Sequence, residues 1–173
     1  MVGSDTTPQV PRRHPLIVGC LLLGIAAIPD AMVVPVLKEL TVDRFGVTEG
    51  SAHLFMAVNL FGAVLAVAIL ALLNRRFSSS TLVIGSAALS ALMMGGMAVT
   101  DSWATMLVLR CLEGGTDLVL LAIPLRIIAS AGGRNRYAGR IGAGFTVMMV
   151  SLAIGAGIGG GIGQNSAVMV LWS

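Results

Sequence analysis

Long apolar runs alternate with short polar breaks along this chain. Five runs, at roughly 15–37, 51–73, 81–100, 103–129 and 138–163, reach the about 20 residues that an α-helix needs to cross a bilayer. A short stretch from Ser166 to Ser173 reads as the start of a sixth. The breaks carry turn chemistry: Phe45-Gly46-Val47-Thr48-Glu49-Gly50, Ser78-Ser79-Ser80, Thr100-Asp101-Ser102, Gly132-Gly133 and Gly163-Gln164-Asn165-Ser166. The pattern predicts an all-α, polytopic transmembrane helix bundle of five full spans plus the start of a sixth. Residues 1–14 form a polar segment ahead of the bundle, which occupies 15–173. Outer-membrane strands would need period-two alternation and aromatic girdles, and the sequence has neither. The first run follows Arg12 and Arg13, as a signal peptide would. It is too long for a signal h-region and no small-x-small cleavage site follows, so it reads as a retained span.

Composition narrows the solvent to lipid. Of 173 residues, 56% are hydrophobic and 11% charged, and mean hydropathy is +0.93. A soluble domain carries about 25% charged residues. A water-facing enzyme domain, a disordered tail and a nucleic-acid module are therefore excluded together. The 22 glycines and sparse aromatics suit closely packed membrane helices.

The net charge of +3 and isoelectric point near 9.5 follow from topology. Arg12, Arg13 and His14 precede the first run, Arg75 and Arg76 follow the second, and Arg134, Arg136 and Arg140 follow the fourth. The intervening connections are mixed (Lys38 and Arg44 with Glu39, Asp43 and Glu49), acidic (Asp101) or uncharged. Basic loops favour the cytoplasmic side, which places the N-terminus in the cytoplasm. The expected location is a multi-pass position in a bacterial inner membrane, with the bilayer as a partner and no nucleic acid. Cys20 and Cys111 fall inside apolar runs and read as small packed hydrophobes, with no disulfide framework or metal-ligand spacing.

Charges at membrane depth are costly and mark function by default. Asp30 lies in the first run, and Arg110, Glu113 and Asp117 lie in the fourth, at spacings of three and four that align them on one helix stripe. Asn59 adds a polar group in the second run. At about 1.5 Å per residue, Asp30, Asn59 and Glu113 each fall roughly 4–6 Å outward of their span midpoints, Arg110 about 9 Å outward and Asp117 near the midplane. Two readings compete: an ion pair that only fixes packing, with Asp30 or Glu113 against Arg110, or a cavity lined by one cation and three carboxylates. In the second, one acid satisfies Arg110 and up to two remain to take up a proton or a cation. Arg126 points off the stripe near a span end and reads as snorkelling.

The fifth run is dominated by small residues. Ser151, Gly155, Gly159 and Gly163 recur at every fourth position, which lets a neighbouring helix approach closely. Gly155, Gly157 and Gly160 also satisfy the dinucleotide spacing, but no strand precedes them and no acid follows, so the nucleotide reading is discarded. His53 reads as a loop-end residue rather than a proton relay. No nucleophile–base arrangement, phosphate loop or metal cluster appears, so neither an enzyme nor a cofactor is expected.

These residues resemble the N-terminal half of a major facilitator superfamily transporter. In the fifth run, Gly142, Ser151, Gly155-Ala156 and Gly159-Gly160 fall on the family's glycine pattern, with Ser for one Gly and Ala for the Pro. Arg110-Cys111-Leu112-Glu113-Gly114 is similar to its Arg-x-x-Gln/Glu-Gly motif, and Asp30 with Pro35 and Leu37 is a looser likeness. The loop after the second run departs from the family. Ala71, Arg75, Ser78, Ser79 and Ser80 stand where Gly, Asp, Gly and paired Arg are usual, and only Leu73 and Arg76 remain. In the family that acid helps latch the cytoplasmic side. The resemblance implies a secondary transporter moving a small solute by alternating access, proton- or cation-coupled, with Asp30, Asn59, Arg110, Glu113 and Asp117 at the substrate or coupling site. It also implies a second six-helix half supplying the other wall of the cavity. The alternative expectation is a non-transporting, transporter-derived subunit covered by other membrane subunits in a larger complex.

Overall fold

The structure is a computed structural model that describes residues 14–132, 136–163 and 167–172. Within them the chain is helical, with no strand. Helix α1 spans His14–Val33, α2 Glu49–Arg76, α3 Ser79–Val99, α4 Trp103–Ser130 and α5 Tyr137–Gly163, followed by a 3₁₀ turn at Ala167–Leu171. Four segments are long and apolar enough to cross a membrane: Pro15–Val36, α2, α3 and α5. The fourth run is also one continuous helix, α4, equal in length to α2, and its four charged residues set it apart. The basic residues Arg12, Arg13 and Arg134, the polar segment through residue 13, and Gln164-Asn165-Ser166 lie outside the described residues.

Three of the breaks act as helix N-caps. The hydroxyls of Thr48, Ser78 and Ser102 accept from the backbone N–H groups of Ser51, Thr81 and Thr105 at 3.2, 3.2 and 3.4 Å. Each satisfies a donor that the first helical turn leaves open. Ser78 thus has a local structural use where the resemblance led one to expect glycine.

The first connection differs from expectation. Residues 38–50 were expected to form a loop, yet helical winding continues past Val33 through a 3₁₀ turn at Val34–Val36 and a π turn at Glu39–Asp43. The Thr41 hydroxyl bonds back to the Leu37 carbonyl at 2.6 Å within this stretch. It ends at Gly46, whose φ of 65° no β-carbon would tolerate comfortably. Arg44 then reaches the C-terminal end of α3 and donates to the carbonyls of Met97, Ala98 and Thr100 at 3.0, 2.8 and 2.6 Å. A cation placed on unsatisfied carbonyls at a helix C-terminus is favoured by hydrogen bonding and by the helix dipole. At the opposite end, Arg126 donates to Ser79 at 2.6 Å. Arg140, expected among loop cations, is buried one turn into α5 and donates to the Ala129 carbonyl at the end of α4.

Helix α4 packs on all four other helices. The two most extensive packings pair α1 with α5 and α2 with α4. Taking α1–α2–α3 and α4–α5–terminal turn as two triplets, the first helix of each packs on the second helix of the other. Small residues create both crossings. Gly24, Ile28 and Met32 of α1 and Val36 of the 3₁₀ turn after it meet Ser151, Gly155, Gly159 and Gly163 of α5, each pair separated equally in sequence. The two helices therefore run parallel with ladders of period four interlocked. A β-carbon on Gly155 would lie 2.6 Å from the Ile28 carbonyl oxygen, and one on Gly159 would overlap that of Met32. On the other side, Gly62 faces the Cys111 carbonyl and Gly114 faces that of Asn59, both too close for any side chain.

Gly142 does not belong to this contact. It is exposed, a β-carbon there would meet no other described residue within 4 Å, and buried Gly144, against Ile128, takes the equivalent place on the packed face. Gly160 touches only Pro35, at ordinary contact distance, because it lies off the Ser151–Gly163 stripe.

Gly159→Ala is expected to destabilise the protein by about 1–3 kcal/mol through overpacking. Gly142→Ala should instead be neutral or stabilising by up to about 1 kcal/mol, since alanine favours a helix where space is free. Thermal unfolding of both variants in detergent checks the contrast.

Candidate functional site

The α2–α4 crossing determines where the polar residues meet. Because Gly62 and Gly114 let the two backbones touch, the Asn59 side chain reaches across α4. Its Nδ2 donates to Glu113 Oε2 at 3.3 Å and to Asp117 Oδ2 at 3.0 Å. Carboxylate oxygens only accept, so the amide must present its NH₂ group to them. The period of α4 puts Arg110 one turn before Glu113, and its Nη1 donates to Glu113 Oε2. Nη2 donates to Asp30 Oδ1 of α1 at 2.7 Å.

All five residues expected at the site from sequence are therefore in one connected network across α1, α2 and α4. The expectation that one acid alone would satisfy Arg110 is corrected: the guanidinium fork spans both Asp30 and Glu113. Asp117 is the acid left with a neutral partner, Asn59. The carboxylate oxygens of Asp30, Glu113 and Asp117 lie within 4.8 Å of one another. That donor set is hard enough for a small cation, but Arg110 already supplies positive charge to two of the three.

Depth in the fold matches depth in charge. Arg110 and Glu113 are each 1% exposed, while Asp30 is half-buried. The face of the Arg110 guanidinium lies 4.8 Å from the centre of the fully buried Phe55 ring. A desolvated cation over an aromatic face gains further electrostatic attraction. Phe55 was missed in the sequence; its signal is a position one turn before Asn59 on the same face of α2. One apolar cluster, containing Met32, Val36, Phe55, Met97 and Met106, lies on one side of the charges along α4. A second, of Leu82, Val119 and Ile123, lies on the other. The polar network is thus sealed along the helix axis in both directions.

Sideways it is open. A cavity of about 540 Å³ lies between α1, α3, α4 and the terminal 3₁₀ turn, with Asp30 and Asp117 in its wall beside Ser90. Pro29 and Pro124 line it as well. Each lacks a backbone donor inside its helix, which frees a carbonyl one turn earlier. Ser90 was not singled out in the sequence, where one serine in an apolar run carries no distinguishing signal. His53 is exposed, as a loop-end residue would be. Gly155, Gly157 and Gly160 lie within α5, with no strand or turn that could cradle a phosphate.

Arg110→Gln is expected to cost about 3–5 kcal/mol, because it leaves three clustered carboxylates without their cation. Adding Asp30→Asn and Glu113→Gln should restore most of the loss, whereas Arg126→Gln at the exposed end should cost under about 1 kcal/mol. Monodispersity and melting temperature in detergent report all three.

Compared with known proteins, the chain matches no family model, no curated protein and no solved structure.

Proposed function

We propose that this chain is part of a secondary active transporter that moves a small solute by alternating access, coupled to protons or another small cation. One observation carries the reading: four ionisable groups and an amide from three helices form a single buried network that borders a cavity. A purely structural ion pair needs one acid for its base. Here three acids surround one arginine, and the excess charge faces an open volume.

In this reading the chain crosses the membrane five times, with the N-terminus cytoplasmic, and α4 is a full span despite its charges. Burial of Arg110 and Glu113 supports that placement, since the protein rather than lipid surrounds them. Asp30, Glu113 and Asp117 bind the coupling ion in turn, Asn59 holds Glu113 and Asp117 in register, and Arg110 offsets one of the three negative charges of the empty network. Binding of a proton or cation to one acid loosens its hold on Arg110 or Asn59. Because these contacts tie α4 to α1 and α2, occupancy shifts how the helices pack. The major facilitator resemblance is consistent with this division of roles, and a second helical half supplies the opposing wall.

One observation favours the non-transporting reading: the connection between α2 and α3 is fixed by the Ser78 cap and the Arg126–Ser79 bond, in place of an acidic latch. Stoichiometric co-purification with other membrane proteins would support that subunit role.

Transport is tested in membrane vesicles holding a pH gradient, screened with a panel of small solutes for solute-driven dissipation followed by a pH-sensitive dye. Wild-type protein, reconstituted together with the second helical half, should discharge the gradient with at least one solute. Glu113→Gln, inserted to the same level, should not. Equal discharge by both would overturn the coupling role.

A further inference from the structure

We propose that the cavity between α1, α3, α4 and the terminal turn binds an organic cation with a bulky apolar body. This rests on the transport reading for its purpose, but its evidence is the wall itself.

Among the 18 described lining residues there are two carboxylates, Asp30 and Asp117, and no lysine, arginine or histidine. The basic member of the network, Arg110, is 1% exposed and is not part of the wall; its guanidinium meets Asp30 from behind, together with Glu113 and the Phe55 ring. Cation and anions are thus sorted: positive charge lies behind the wall and negative charge at it. Arg110 neutralises the Asp30 side of the pair. Among the described residues Asp117 is bonded by the Asn59 amide and by no cation, so its charge is the one left for a ligand.

The remaining surface is apolar and shaped by side chains such as Leu22, Ile25, Ala87, Ala91, Met94 and Leu120. Its volume of about 540 Å³ falls within the roughly 300–1,000 Å³ of sites that enclose drug-sized ligands. A hydrated inorganic ion would leave that surface wet and unfilled. A neutral hydrocarbon would leave Asp117 without a counter-charge in low dielectric. A zwitterionic lipid would bring its phosphate beside both acids. An apolar monocation fits the wall and the charge together, and methionine at position 94 lets the surface adapt to shape.

The test is equilibrium binding of tetraphenylphosphonium to the protein in lipid nanodiscs, with empty nanodiscs subtracted and tetraphenylborate as the same shape with opposite charge. Saturable binding of the phosphonium and none of the borate is expected. Asp117→Asn should weaken phosphonium binding by about tenfold or more, the loss expected for one close charge pair. Ala91→Phe keeps every charge and fills the cavity, so it should abolish binding, with retained helicity showing that the variant is folded. Absence of saturable phosphonium binding, equal affinity for both ions, or insensitivity to both substitutions would overturn the proposal. If a solute discharges the pH gradient but phosphonium does not bind, only this inference fails. If phosphonium binds but no solute discharges the gradient, the transport reading fails and the binding site stands.

Discussion

A guanidinium cannot give up its proton at any relevant pH, so Arg110 must be paired wherever it is buried. That constraint organises the centre of the fold. Two acids from two helices meet the fork of the arginine, an aromatic ring covers its face, and an amide from a third helix steadies the acids. The partners come from α4 itself and from helices that it contacts, which is why the helix with the most charged residues is also so enclosed. The arrangement keeps lipid away from charge by using protein as the solvent.

Such closeness depends on residues that have no side chain to interpose. In membranes, helices associate through packing and hydrogen bonding rather than through expulsion of water, so backbone proximity is decisive. Gly62 and Gly114 bring α2 onto α4 at the level of Asn59, and Gly155 and Gly159 bring α5 onto α1 beside Asp30. The second crossing never touches the polar network directly. It still positions the network, because it fixes the rotation of α1 and hence the direction in which Asp30 projects.

The result is a network with two different faces. Toward the apolar clusters above and below, it is closed by Phe55, Met106, Val119 and Ile123. Toward the cavity, it presents acid. An ion pair built for stability alone would gain nothing from this asymmetry, since a carboxylate beyond what the cation needs only adds repulsion and desolvation cost. Excess charge held at the edge of an open volume is the arrangement that ligand or ion binding can relieve.

Much of this was legible along the chain. The long helices, the turn-forming breaks between them and the five polar residues set inside apolar runs follow from spacing, because an apolar run or a charge within one has few alternatives. Phe55 and Ser90 were not legible, since an aromatic or a serine in an apolar run is unremarkable until its neighbour across a crossing is known. Gly142 falls on the family's glycine pattern yet packs on no described helix, since a pattern places a glycine on a face but does not say whether another helix lies against it. Winding from Val34 to Phe45 was also hidden, because its polar residues look like a loop until Arg44 is seen capping α3. The sequence by itself determined that charged groups set inside apolar helices must be paired, because bare charge in apolar surroundings is too costly. Only the tertiary structure decided which acids pair with Arg110 and which one faces the cavity, because helix rotation and the closeness of each crossing are set by contacts between residues far apart in the chain.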